Sequence, residues 1–338
     1  MTSVLIINRN EPFLWFAVDR LLRWVDSSLF EILIYDDCSD EPLELNSLLY
    51  PNVIVIQGKV QRGVAYGFDR MIEEAKYETI ILMAGDVIIK DPSWIDKVNE
   101  YVSLYPYGIG CSVCLSGDPD HLNPDNPFDD VKRYGASILP LATTDDLPSD
   151  SPMLSIDYYV GMFDGKWHKK EPKENISEVP SVFGAFYFTS KSWLKYIHRW
   201  DTIRGMKLSG LSYWGGVDVF ISLKSWLYGG SCHVVKDIES LHIWHKSETP
   251  LNGRGDHMNY SKLFIAYTCM EHEDALRLAK KVYDLRVKYE LYTLPYNLGM
   301  KLLKSNINYV TQVRERNRCE MVHDFLWFCN KFGIEKRW

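Results

Sequence analysis

Between residues 2 and 104, short apolar runs alternate with stretches of helical periodicity, and this alternation limits the possible folds more than any other feature of the chain. Residues 4–7, 32–35, 53–56 and 80–83 are apolar runs of strand length. Residues 13–24, 65–75 and 92–104 place apolar side chains at helical spacing, the last behind the helix-start pair Asp91-Pro92. Strands and helices in strict alternation with short connections predict a parallel, doubly wound sheet, whose ligands bind beyond the carboxyl ends of the strands. Asn10-Glu11, Asp36-Asp37 and Asp86 all fall at such ends.

Downstream the pattern changes. Residues 116–180 are rich in Asp and Pro with little periodicity, as in SGDPDHLNPDNPFDD, and predict lid or substrate loops. Regular structure returns over residues 181–241, and from about Tyr260 the chain reads as several helices bearing basic and aromatic residues. Residues 258–338 hold 14 Lys and Arg against 9 Asp and Glu, a net of +5 in a chain whose total is −7. A basic tail on an acidic body suits a polyanionic partner, although a solvated helical face accounts for the same balance.

Composition excludes several classes. With 46% hydrophobic residues the chain is globular and not disordered. The opening MTSVLIINRNEP reads as a first strand and not as a signal peptide. No window approaches the roughly 18 apolar residues of a membrane span. Seven scattered cysteines suit a reducing compartment, so the expectation is a soluble cytoplasmic protein (host cytoplasm if viral). Cys111-Ser-Val-Cys114 has redox or zinc spacing, but GIGCSVCL reads as a packed strand with no second pair to complete a site.

The chemistry concentrates in residues 212–246, SYWGGVDVFISLKSWLYGGSCHVVKDIESLHIWHK. Asp218 follows a Trp-Gly-Gly turn at the start of an apolar helical run, and a strand then leads to His242 and His245. A carboxylate at a helix start, with imidazoles ending the next strand, suits a site that handles a proton and a metal.

Seven segments fall in one order: TSVLIINRNEP, EILIYDDCSD, RGVAYGFDRMIEEAK, ILMAGD, VFGAFYFTSKSWL, YWGGVDVFISLKSWLYGG and ESLHIWHK. That order resembles the GT-A nucleotide-sugar glycosyltransferases, above all family 2 and the polypeptide N-acetylgalactosaminyltransferases, over residues 2–247. The resemblance implies an α/β GT-A fold, Rossmann-like, with a mostly parallel sheet and helices on both faces. The GT-A domain would cover residues 1–250: a nucleotide-binding half at 1–110, an irregular loop region at 111–180 and an acceptor and metal half at 181–250. A helical C-terminal region would follow at 251–338.

The resemblance also implies roles. Asp36 and Asp37 would take hydrogen bonds from the uracil and ribose of a UDP-sugar, with Asn10 and Glu11 lining the same pocket; helix or loop capping is the alternative for both pairs. Arg62 and Gly63 match the turn before the phosphate-side helix, with Arg62 as a diphosphate partner or a plain surface residue. Asp69 replaces the family's usual Asn. Ala84-Gly85-Asp86 stands where the family has Asp-x-Asp or Asp-x-His, so Asp86 would ligate Mn²⁺ or Mg²⁺ while the first Asp is lost. His242 would be a second metal ligand, and His245, also a ligand candidate, takes the place of an Arg. Gly184 would let backbone approach the donor sugar, Trp214 would flank the acceptor, and Gly215 beside it would belong to the nucleotide-sugar site. Asp218 corresponds to the general base of the inverting enzymes. The retaining N-acetylgalactosaminyltransferases have Trp-Gly-Gly-Glu-Asn where this chain has Trp-Gly-Gly-Val-Asp, a departure that favours inversion.

The expected activity is therefore metal-dependent transfer of a sugar from a UDP-sugar to a hydroxyl. The basic C-terminal region, by analogy with bacteriophage enzymes, points to 5-hydroxymethylcytosine in DNA as acceptor, against a glycan, lipopolysaccharide or protein hydroxyl. Two other classes stand beside this one. A non-catalytic nucleotide-sugar binder fits the lost Asp, whereas a nucleotidyltransferase would want a glycine-rich phosphate loop that residues 8–12, NRNEP, lack.

Overall fold

The computed structural model describes residues 1–23, 25–45, 50–121, 123, 131–146, 159–183, 186–213, 215–243 and 255–338. The chain first forms β1 (Thr2–Asn8), α1 (Leu14–Leu22), β2 (Phe30–Asp36), β3 (Val53–Gln57), α2 (Val64–Glu74), β4 (Thr79–Ala84), β5 (Val87–Ile89) and α3 (Trp94–Leu104). There follow β6 (Gly108–Gly117), β7 (Lys132–Arg133), β8 (Ala136–Thr143), β9 (Val160–Trp167), β10 (Ile176–Glu178), β11 (Phe186–Ser190), α4 (Lys191–Tyr196), α5 (Val217–Leu227) and β12 (Ser231–Ile243). Five helices close the chain: α6 (Gly255–Cys269), α7 (His272–Lys288), α8 (Leu294–Ser305), α9 (Ile307–Glu320) and α10 (Phe325–Phe332).

Strands β3, β2, β1 and β4 lie side by side and parallel, as the alternation predicts. Every residue of β1 and β2 is buried, because helices cover both faces of the sheet. Leu5, Leu33, Tyr35 and Leu82 pack on one face against Ala65, Phe68 and Ile72 of α2. Val4, Ile6, Ile32 and Ile81 pack on the other against Leu14 and Val18 of α1 and Trp94 and Val98 of α3. The sheet then becomes mixed. Strand β11 enters antiparallel between β4 and β6, and β12 pairs parallel with β6 and antiparallel with β5 and β10. Parallel pairing thus continues between β6 and β12, which α4 and α5 separate in sequence, while β11, β10 and β5 run antiparallel to their neighbours.

Residues 116–180 contain more order than their composition suggests. Strands β8 and β9 pair antiparallel in a separate two-stranded sheet, from Ala136↔Trp167 to Thr143↔Val160. Pro140, Gly161 and Gly165 interrupt the apolar alternation there, which is why the pattern is faint in sequence.

The C-terminal helices share the core of the sheet. Phe264 of α6 meets Phe220 of α5 edge to face at 5.8 Å, and one apolar cluster runs continuously from Leu5 to Cys329. A buried ionic knot adds to the contact. Asp201 accepts from Lys224 Nζ of α5 at 3.0 Å and from Arg316 Nη2 of α9 at 2.7 Å, and the Lys224 side chain is wholly buried. All seven cysteines are free, and Cys111 and Cys114 sit buried on opposite sides of β6, where three residues of strand separation cannot converge on one ion. Among the described residues no helix is long and apolar enough to cross a membrane.

Candidate active site

The carboxyl ends of β1, β2 and β3 form one end of the site. Buried Asp36 is held by its neighbours. Its Oδ1 accepts from Asn8 Nδ2 at 3.0 Å and from the Ser39 hydroxyl, and Gln57 donates to Oδ2 at 2.8 Å. Asp37 faces the next loop and accepts the amides of Arg62 (2.7 Å, Oδ1) and Gly63 (2.8 Å, Oδ2). Burial pushes the Asp37 carboxyl up to about 6, against the pull of those two amides and of Arg9. Arg9 also donates to the carbonyls of Asp37 and Cys38 at 3.1 Å. Asn10, at φ +52°, ties itself to the same loop: its Nδ2 donates to Asp40 Oδ2 and its Oδ1 accepts from the Asp40 amide. Glu11 accepts from the amide of Phe13 at 3.1 Å, the capping role open to it from sequence, while lying against Gly85.

Gly63 can be nothing but glycine. Its φ is +90°, it opens α2, and an added Cβ would stand 2.1 Å from the Cα of Tyr213. Tyr213 returns the contact by accepting the Val64 amide at 2.9 Å. A continuous backbone path therefore runs from Asp37 through Gly63 to Tyr213, beside the turn that starts α5. In that turn Gly215 and Gly216 have φ of +109° and +74°, and Gly216 caps the helix in the left-handed conformation.

Asp218 lies in the first turn of α5. Its side chain keeps some solvent exposure, yet the dense protein around it pushes its pKa up to about 6. The Tyr187 hydroxyl, donating to it, and the charge of His242 draw it part of the way back. A carboxylate ionised at neutral pH but only just so is suited to accept a proton.

Asp86 follows β4, and His242 pairs with Val87 where β12 runs antiparallel to β5. The pairing brings Asp86 Oδ2 and His242 Nε2 to 3.2 Å, both partly open to solvent. Two ligands about 2.1 Å from an octahedral ion and at right angles stand roughly 3 Å apart, so this edge fits a divalent cation. Among the described residues no group of three or more His, Cys, Asp or Glu converges as a metal site; His245, the third candidate, lies outside the described residues, as do Gly184 and Trp214.

The Arg62 side chain leaves the loop in a different direction from Asp37. Its guanidinium sits over the Tyr66 ring at 4.4 Å and donates to the carbonyl of Met206. The basic tail also differs from its sequence reading. Arg314 donates to the carbonyls of Tyr267 and Met270, and Arg316 to Asp201, so these two cations of the tail are turned inward and away from any polyanion, whereas Arg318 is exposed. Tyr187 was legible only as core, because nothing in VFGAFYF marks one aromatic hydroxyl as polar in use. Gln57 and Arg9, the partners of Asp36 and the Asp37 loop, carried no motif at all.

Residues 3–133 match Glycosyl transferase family 2. Across 97% of its length the chain is 22% identical to human polypeptide N-acetylgalactosaminyltransferase 14, covering 53% of that protein. Its fold matches the crystal structure of GalNAc-T7 with UDP, GalNAc and Mn²⁺ at a TM-score of 0.69, with 15% identity, covering 98% of this chain and 57% of the other. The chain thus spans about half the length of the relatives it matches. The matched segment holds Asp36, Asp37, Gly63 and Asp86, while Asp218 and His242 lie beyond it.

Proposed function

We propose that this chain is a glycosyltransferase that moves a sugar from a UDP-sugar to a hydroxyl acceptor with divalent-metal assistance. The observation that carries the reading is the placement of Asp218 within electrostatic reach of His242, which itself lies 3.2 Å from Asp86. The uridine would sit by the Asp37 loop, at the carboxyl ends of β1 and β2.

In this reading the Asp218 carboxylate takes the proton of the acceptor hydroxyl. The freed oxygen lone pair forms the bond to the anomeric carbon as the carbon–oxygen bond to the diphosphate breaks, and its electron pair leaves with UDP. Attack on the face opposite the leaving group inverts the anomeric centre. Tyr187, by donating to Asp218, holds the carboxylate in orientation and keeps it ionised. Asp86 and His242 would hold a Mn²⁺ or Mg²⁺ ion, which supplies charge to offset that gathering on the departing diphosphate.

The acceptor is read as a hydroxyl. The narrower reading, hydroxymethylcytosine in DNA, rested on the basic tail, and the inward turn of Arg314 and Arg316 takes away most of its support. The test is a panel of UDP-sugars with Mn²⁺, followed by calorimetry and by hydrolysis and transfer to nucleic acid, glycan and peptide hydroxyls. Binding without turnover on any acceptor would favour a nucleotide-sugar-binding role, which the replacement of the first acidic residue by Ala84 also suits. Absence of UDP-sugar binding would reject both.

A further inference from the structure

At the open edge of the large sheet, where β3 has no further strand beside it, α2 and the 203–207 loop enclose a cleft of about 280 Å³. Four cations line it, Lys59, Arg62, Arg70 and Arg204, together with Tyr35 and Gln57, and among the described residues no carboxylate does. Lys59 and Arg204 are exposed and come from different loops. Arg70 is balanced by Glu73 and Glu74 at 2.5 and 3.1 Å, which leaves the other three charges facing the cleft without an acid in the wall. On a chain of net charge −7, such a focus is the reverse of its surroundings.

From this geometry we infer a phosphate-binding site distinct from the donor site. The multiple charge favours a phosphate over a carboxylate, because a tetrahedral dianion can be approached by cations from several walls at once. Arg62 is already oriented: the Tyr66 ring and the Met206 carbonyl fix its plane, and a guanidinium keeps further N–H donors for a ligand. The volume is ample for one phosphorylated unit. The cleft shares the 58–63 loop with Asp37, whose carboxylate holds the amides of Arg62 and Gly63 on the other side of that backbone. The ligand is thus either a free phosphate or monoester, or one phosphodiester of a longer chain. The inference does not depend on the transferase reading.

The experiment is titration calorimetry at low ionic strength with UDP held at saturation, using first inorganic phosphate and then a short glycerol-phosphate oligomer. Phosphate binding is expected to persist with UDP present and to weaken at least about tenfold in the Lys59→Glu/Arg204→Glu double variant. The exposed pair Lys169→Glu/Lys170→Glu, in the loop at 168–173, controls for net charge and should leave binding unchanged. An oligomer that binds much more tightly than phosphate identifies the phosphodiester source, and equal affinity identifies the free anion. Loss of binding when UDP is added, equal weakening in both double variants, or no binding to either probe would overturn the inference.

Discussion

His242 Nε2 lies 3.2 Å from Asp86 Oδ2, and the two residues approach across the antiparallel pairing of β12 with β5. They are more than 150 positions apart in the chain, yet the three-residue strand β5 leaves little slack between them. If the pair holds a divalent ion, wild-type affinity for UDP will fall sharply when EDTA is added. Asp86→Ala and His242→Ala should each bind UDP at the EDTA-treated level whether or not Mn²⁺ is supplied. Calorimetry that finds wild-type affinity indifferent to EDTA would remove the metal from the site.

Asp218→Asn keeps the shape of the side chain and loses the proton acceptor. Turnover should fall by about 10²- to 10⁴-fold while UDP affinity stays within about twofold of wild type. Comparable losses in binding and turnover would make Asp218 a structural residue of α5 instead.

Gly63→Ala probes the link between the Asp37 loop and the turn before α5. The left-handed backbone and the 2.1 Å approach to Tyr213 leave no room for a methyl group. A destabilisation of about 2–4 kcal/mol is expected, visible as a lower Tm, together with weaker UDP binding. A variant of wild-type stability would mean that the loop relaxes freely away from Tyr213.

Much of this arrangement was legible from sequence, and the parts that were not have physical reasons. Strands buried on both faces announce themselves as uninterrupted apolar runs, so β1, β2 and β4 and the acids at their ends could be placed directly. Strand β11 could not be oriented, because an apolar run reads the same in either direction. The β8–β9 pair was hidden by proline and glycine. The inward turn of Arg314 and Arg316 was not legible, because composition does not reveal that a buried Asp201 and the carbonyls of Tyr267 and Met270 await them.

Asp69, which stands where the resembled family has Asn, gives a pH test. Burial lifts its carboxyl to about 7, although Arg199 and the Thr202 hydroxyl pull the other way. An unfolded Asp titrates near 4, so the stability this group contributes is complete below that pH and is lost as pH rises through about 7. Asp69→Asn carries no such loss. Relative to wild type, the variant should gain stability between about pH 5 and pH 8, by up to about 2–3 kcal/mol, in denaturant titrations at each pH. A difference independent of pH would show that Asp69 titrates in its normal range.

One carboxylate, that of Asp201, answers to cations from two distant stretches of the chain: Lys224, further along α5 from Asp218, and Arg316 on α9. Either cation left alone in that interior would be expensive to keep charged. The last eighty residues are consequently not an attachment that evolution could exchange freely to suit a new acceptor. Any change that loosens α9 unbalances the anchor of the helix presenting the reactive carboxylate, so drift in the tail and drift at the reaction centre are bound to constrain each other.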